Sequence, residues 1–246
     1  MSIQRINVVG VPVDVCLPED IEGGVLELLA KPGTKQIVFL SIWDLLKARR
    51  KNDYGECVRN ADLILPISKS IIKGAKFLKK SIPVRYNRFS AVIEMLSVLE
   101  RHYKSIYLLG AHNLTLQKAE SNVRDTFPDL QIVGRCTGYY SRASEDAVVA
   151  AIYKAMPSLV LVSEGIKEKD VWAYNRRNCF ASSIFVYYRD AFAIFADRKK
   201  RMADKIFNSR LEIVVEILHN PFKIFLIFPY LWYTLLLIWH RLFNNT

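Results

Sequence analysis

Short apolar runs alternate with amphipathic stretches along most of this chain, and that alternation constrains its fold more than any other feature. Runs at 6–9, 36–40, 63–65, 84–86, 106–109, 131–133, 159–162 and 184–188 are too short for helices and read as strands. Between them, apolar residues recur at intervals of three and four over 91–103, 114–125, 145–156 and 168–178, which predicts helices. Strand and helix in alternation imply an α/β fold with a mainly parallel sheet covered on both faces. Prolines in TFPDL and AMPSL separate helix from following strand. There is no internal repeat and no low-complexity linker.

Composition narrows the class. With 51% hydrophobic and 24% charged residues, the chain is not disordered, and its 246 residues suffice for one large core or one core with an appendage. A net charge of +11 asks for an anionic partner: nucleic acid, anionic lipid or a phosphorylated ligand. The lysines and arginines are dispersed and no zinc-finger or RNP-like motif is present, so nucleic acid is not the expected partner. Cys16, Cys57, Cys136 and Cys179 form no CxxC pair, which speaks against a zinc site or a disulfide framework and for a reducing compartment. MSIQRINVVG holds no signal-peptide run, so export is not expected.

The pattern changes after about residue 188. DRKKRMADK (197–205) is densely basic, RLEIVVEILHN has helical spacing, and no charge falls between 224 and 239. That uncharged run is shorter than the roughly 20 residues a span needs. It carries Pro229 near its middle, with Tyr230, Trp232, Tyr233 and Trp239 along it. It reads as a buried helix packed on the domain, as a single span, or as a hairpin-like interfacial anchor. Lys199, Lys200, Arg201 and Lys205 beside anionic lipid, with Trp232 and Trp239 in the headgroup layer, favour the anchor. The division expected is an α/β domain over 1–195 and a membrane-binding appendage over 196–246.

Few residues announce chemistry. IYLLGAHNLTLQKAE is a strand, a turn and a helix start, where Gly110 serves either a tight turn or a phosphate and His112 is either a loop residue or a catalyst. One glycine is not a dinucleotide fingerprint. Gly134 and Gly138 flank the exit of a later strand. No nucleophile elbow, Ser/His/Asp order or metal-ligand spacing is visible.

The succession GVPVDV, ADLILP, IYLLGA, FPDLQIVGRCTGYY and LVSEGIKEKDVW resembles the WecG/TagA/CpsF glycosyltransferase family from about residue 6 to about 222. The resemblance implies a Rossmann-like catalytic domain with a membrane-meeting appendage. It implies inverting transfer of an N-acetylmannosamine-type sugar from a UDP donor to polyprenyl-diphosphate-linked GlcNAc in cell-surface polymer synthesis. No metal or other cofactor is implied. The expected place is the cytoplasmic face of the cell membrane, as a peripheral or monotopic protein. A homo-oligomer, or a hetero-oligomer with an active relative, is expected.

Set against the family's motifs, several polar positions have changed. Where the family has LPDG, with an Asp suited to general-base work, this chain has Leu65-Pro66-Ile67-Ser68. The family's T-x-N falls on Phe39-Leu40-Ser41, and its Gln on Lys169. Its G-G-x-F-D falls on Arg189-Asp190-Ala191-Phe192-Ala193, and its L-E-W-L-x-R on LEIVVE (211–216), so an Arg becomes Glu216. Arg85 and Arg201 match family arginines, whereas Arg88 replaces a glycine. Two expectations stand. One is a divergent enzyme with Asp44 as candidate base, Ser68 and Lys69 nearby, and Arg85, Gly110, Gly138, Lys169 and Arg201 around substrate phosphates. The other is a non-catalytic accessory subunit that binds an active glycosyltransferase or another polymer-assembly protein.

Overall fold

The computed structural model describes residues 3–201 and 227–243. It opens with an antiparallel hairpin, β1 (Gln4–Val8) and β2 (Val11–Val15). Val9 and Gly10 form its two-residue turn, both at positive φ (46° and 87°), and the Gly10 N–H donates to Asn7 Oδ1 at 2.7 Å. A β-branched residue rarely adopts that backbone. Here the Val9 side chain is buried, and its burial offsets the strain. The usual Asn-Gly signal is therefore missing, and β2 is invisible to a search for such turns.

The main sheet is wholly parallel: β3 (Gly33–Leu40), β4 (Leu63–Pro66), β5 (Ser105–Leu109), β6 (Gln131–Cys136), β7 (Leu159–Val162) and β8 (Ser182–Tyr187), in the order β4-β3-β8-β7-β5-β6. The predicted α/β class is what the structure has. Helices α1 (Ile21–Ala30), α5 (Arg88–Arg101), α6 (Asn113–Thr126) and α9 (Ala191–Phe195) share one core with one face. On the other face lie α2 (Ile42–Ala48), α3 (Asp53–Arg59) and α4 (Lys69–Phe77) with the hairpin, and further along α7 (Glu145–Ala155) and α8 (Asp170–Asn175). Both faces being covered explains why LILP and LVLV are buried at every position.

Local chemistry sets the ends of these helices. Ser41 caps α2 in a reciprocal box with Asp44: Ser41 Oγ accepts from the Asp44 N–H, and Asp44 Oδ2 accepts from the Ser41 N–H, each at 3.2 Å. Asn52 and Asn87 cap α3 and α5 through their side-chain oxygens. Met156, at φ 41°, closes α7 just before Pro157.

The predicted strand at 84–86 is not one. The Tyr86 N–H makes a single bond to Pro66 O (2.9 Å), and its hydroxyl donates to Cys16 O (2.8 Å). The apolar residues there fill the core instead of joining a ladder. The helix predicted over 168–178 is α8 followed by a separate 3-10 turn, Arg177–Cys179.

The last helix among the described residues is α10 (Ile227–Phe243). Tyr233 and Leu237 are buried in the same core as α2 and α4, while eight large apolar residues from Phe228 to Phe243, Trp232 and Trp239 among them, are exposed. Pro229 is the third residue of α10 as described. No helix among the described residues is long and apolar enough to cross a membrane. Helix α10 meets α4 closely at Gly74, where an added Cβ would lie 2.0 Å from Tyr233 Oη. Arg241 Nη1 donates to Phe77 O (3.0 Å) at the far end of that contact. Lys205 and the stretches 211–216 and 224–226 lie outside the described residues.

Candidate active site at the strand carboxyl ends

Every loop that leaves a carboxyl end of the parallel sheet opens on the same margin, where ligands bind in such folds. Much of this margin is sewn shut by backbone. The Ala111 N–H donates to Glu164 O (2.7 Å), Gly138 N–H to Ala111 O (2.8 Å) and Tyr139 N–H to Gly165 O (2.9 Å). Glu164 N–H donates to Arg189 O (3.1 Å), and Ser163 Oγ donates to the same oxygen (2.7 Å). A Cβ on Gly110 would stand 2.8 Å from Glu164 O, and one on Gly138 only 2.6 Å from it. These two glycines are thus required by the close approach of the loops after β5, β6 and β7. Above them His112 stacks on Tyr139, with centroids 4.2 Å apart and planes 8° from parallel.

The margin opens between β3 and β8. Their pairing stops at Ile37 and Val186, although β3 runs on beside β4 as far as Leu40 opposite Pro66. From β3 the chain turns to the face that carries α2, and from β8 to the face that carries α9. Adjacent strands that send their connections to opposite faces leave a crevice between them. Asp44 starts α2 on one side of it, and Tyr187 and Tyr188 end β8 on the other. Asp170, at the first position of α8, comes in from the end of β7; its backbone oxygen accepts from Gln36 Nε2 (2.7 Å). Its Oδ1 is buried with no hydrogen-bond partner, although the residue as a whole is half-buried. Burial, and then the nearby Asp44 charge, push its carboxyl up to about 7, while Arg88 pulls the other way. Burial also pushes Tyr187 and Tyr188 up to about 12.

Ile67 lies next to this opening. Its N–H donates to Leu40 O (3.0 Å), and its side chain packs against the core on the α5 side. Arg85 Nε donates to Ile67 O (2.8 Å), and Ser68 Oγ accepts from the Ile42 N–H (3.1 Å). The structure therefore brings Ile67, Ser68, Arg85 and Asp44 to one place. Asp44 also accepts from Ser41 Oγ (2.5 Å), so the helix cap already occupies it. Lys169 reaches the same margin, exposed and at φ 53°, ψ −125°, a strained backbone for a side-chain-bearing residue.

Other candidates are elsewhere. Arg201 lines a groove of about 800 Å³ between α5, α6 and α9, with Phe89, Ile93, Phe195, Lys199 and Lys200. Lys199 pairs with Asp190 at 2.7 Å. Trp232 and Trp239 point outward from α10. Asp170, Arg88 and Tyr187 were not singled out as site residues by sequence. An acid at a helix start reads as a dipole stabiliser, and nothing in GIKEKD signals that this one is buried.

A doubly covered parallel sheet, open at one crevice among its strand-end loops, is the architecture of the nucleotide-binding α/β proteins. The chain belongs to the glycosyl transferase WecG/TagA/CpsF family, which matches it over residues 6–246. It is 22% identical over 176 residues to the N-acetylglucosaminyldiphosphoundecaprenol N-acetyl-beta-D-mannosaminyltransferase of Bacillus subtilis (strain 168), covering 72% of this chain and 68% of that protein. It is 23% identical to the protein of the same name from Bacillus spizizenii, covering 71% and 67%. Against the one from Staphylococcus aureus (strain NCTC 8325 / PS 47), identity is 23%, covering 60% and 58%.

Proposed function

We propose that this chain transfers an N-acetylmannosamine-type sugar from a UDP donor to polyprenyl-diphosphate-linked N-acetylglucosamine, working as a peripheral protein at the cytoplasmic face of the membrane. What carries the reading is the match to relatives whose names give that sugar and that lipid-linked acceptor, over about 72% of this chain for the first of them. The open crevice between β3 and β8 supports it, as does the net charge of +11, since both substrates carry phosphates. Arg85 and Lys169 at the crevice margin supply positive charge for the diphosphate. The eight large apolar residues exposed along α10, from Phe228 to Phe243, fall at helical spacing on one side, which suits a helix lying flat in the headgroup layer.

One observation favours a second reading. Ile67 cannot accept a proton, so a chain that kept fold and membrane contact but lost turnover would act as an accessory subunit for an active transferase. Calorimetry of UDP and UDP-N-acetylhexosamine with detergent-solubilised full-length protein decides the donor question. Micromolar affinity, weakened at least about ten-fold by Arg85→Ala, is expected. Absence of binding at millimolar nucleotide overturns the transferase reading.

A further inference from the structure

We propose that Asp170 is the proton acceptor of the transfer reaction, standing in the β3–β8 crevice for the carboxylate that Ile67 replaces. The inference rests on the transferase reading above. It starts from geometry: the strands part beyond Ile37 and Val186, and Asp170, held by its backbone oxygen to Gln36 on β3 just before that point, has a buried, unpartnered Oδ1. A buried acceptor with no donor is costly to keep. Here it sits beside a residue, Lys169, whose backbone is also strained, and such costs collect where a ligand completes the arrangement. Asp44 is the other acid at the crevice, but the Ser41 cap engages it.

The groups facing Asp170 come from each element around it: Asp44 from α2, Tyr54 and Cys57 from α3, Arg88 from α5, Tyr187 from β8, and Lys169 preceding it. Burial and the Asp44 charge raise the carboxyl toward neutral pH, where a general base works best. The step balances as follows. The acceptor hydroxyl gives its proton to the Asp170 carboxylate while its oxygen bonds to the anomeric carbon. The bond from that carbon to the β-phosphate oxygen breaks, and UDP leaves with the electron pair. The proton is released to solvent once the product and UDP have left the crevice.

The test uses full-length protein with UDP-N-acetylmannosamine and a short-chain polyprenyl-diphosphate-GlcNAc, following transfer against pH and UDP affinity by calorimetry. Asp170→Asn is expected to lower kcat at least about 100-fold. UDP affinity should stay within about three-fold, and the acidic limb near pH 7 should be lost. Asp170→Glu should recover part of the rate. Because the raised carboxyl binds its proton more tightly folded than unfolded, it makes wild-type stability fall as pH rises from about 4 to about 7. Asp170→Asn should lose that component and melt higher than wild type at pH 8, so a folding failure is not the expected cause of lost turnover. The inference is overturned if Asp170→Asn keeps its rate and acidic limb, or if only Asp44→Asn loses them. It is overturned as well if wild type binds UDP but transfers nothing. Failure to bind UDP at all overturns the transferase reading itself.

Discussion

Tyr233 buries its hydroxyl between α10 and α4 with no partner for the oxygen. Removing an unsatisfied polar atom while keeping the ring deletes a desolvation cost and little packing. Tyr233→Phe should therefore leave stability unchanged or raise it by about 1 kcal/mol, as measured by urea unfolding. At this scale the sequence was silent where burial decided. The reading of Ile67 at a family acid position rests on LPIS alone, and the structure adds only that its side chain packs on the α5 side. Asp170 could not be picked out from the sequence, since β3 and β8 separate beside it, and Asp44 and Arg88, far away in the chain, arrive there. Gly110 and Gly138 were legible as special glycines, and their close neighbour was not: it is Glu164 O.

Helix α10 docks on α4 through Gly74, and that contact has no slack. An alanine there would gain up to about 1 kcal/mol of helix propensity in α4. Its Cβ would stand 2.0 Å from Tyr233 Oη, so α10 must move. Overpacking of this kind costs about 1–3 kcal/mol, which outweighs the gain. Hydrogen exchange should show Gly74→Ala speeding the amides of 227–243 while those of β3 and β7 stay protected. Elements with a strong period were readable: β7 was placed at both ends, and α6 to within one residue. Short helices such as α2 and α3, seven residues each, leave too few turns for a period to emerge. The stretch 84–86 misled because buried apolar residues serve a core equally well without a ladder. The turn at Val9 misled because its backbone cost is met by burial and not by residue type.

The whole molecule combines a basic surface with one apolar helix face turned outward. Trp232 is 56% and Trp239 59% exposed, so replacing both by Glu should leave the unfolding midpoint unchanged. The same change should weaken binding to vesicles containing anionic lipid by more than ten-fold, read by co-sedimentation, because acids are poorly tolerated in the interface. Retention of vesicle binding by the double variant would remove α10 from the membrane contact. The hairpin has a consequence of its own at this scale. Asp14 is buried, holds Arg5 by two bonds (2.7 and 2.9 Å) and accepts from the Ile64 N–H (2.7 Å), so it caps a donor of β4 that another strand would otherwise seek. Among the described residues, β6 forms the opposite margin of the six-stranded sheet. Two copies joined through β6 would use up that margin in each, so extension through β6 would terminate at a pair.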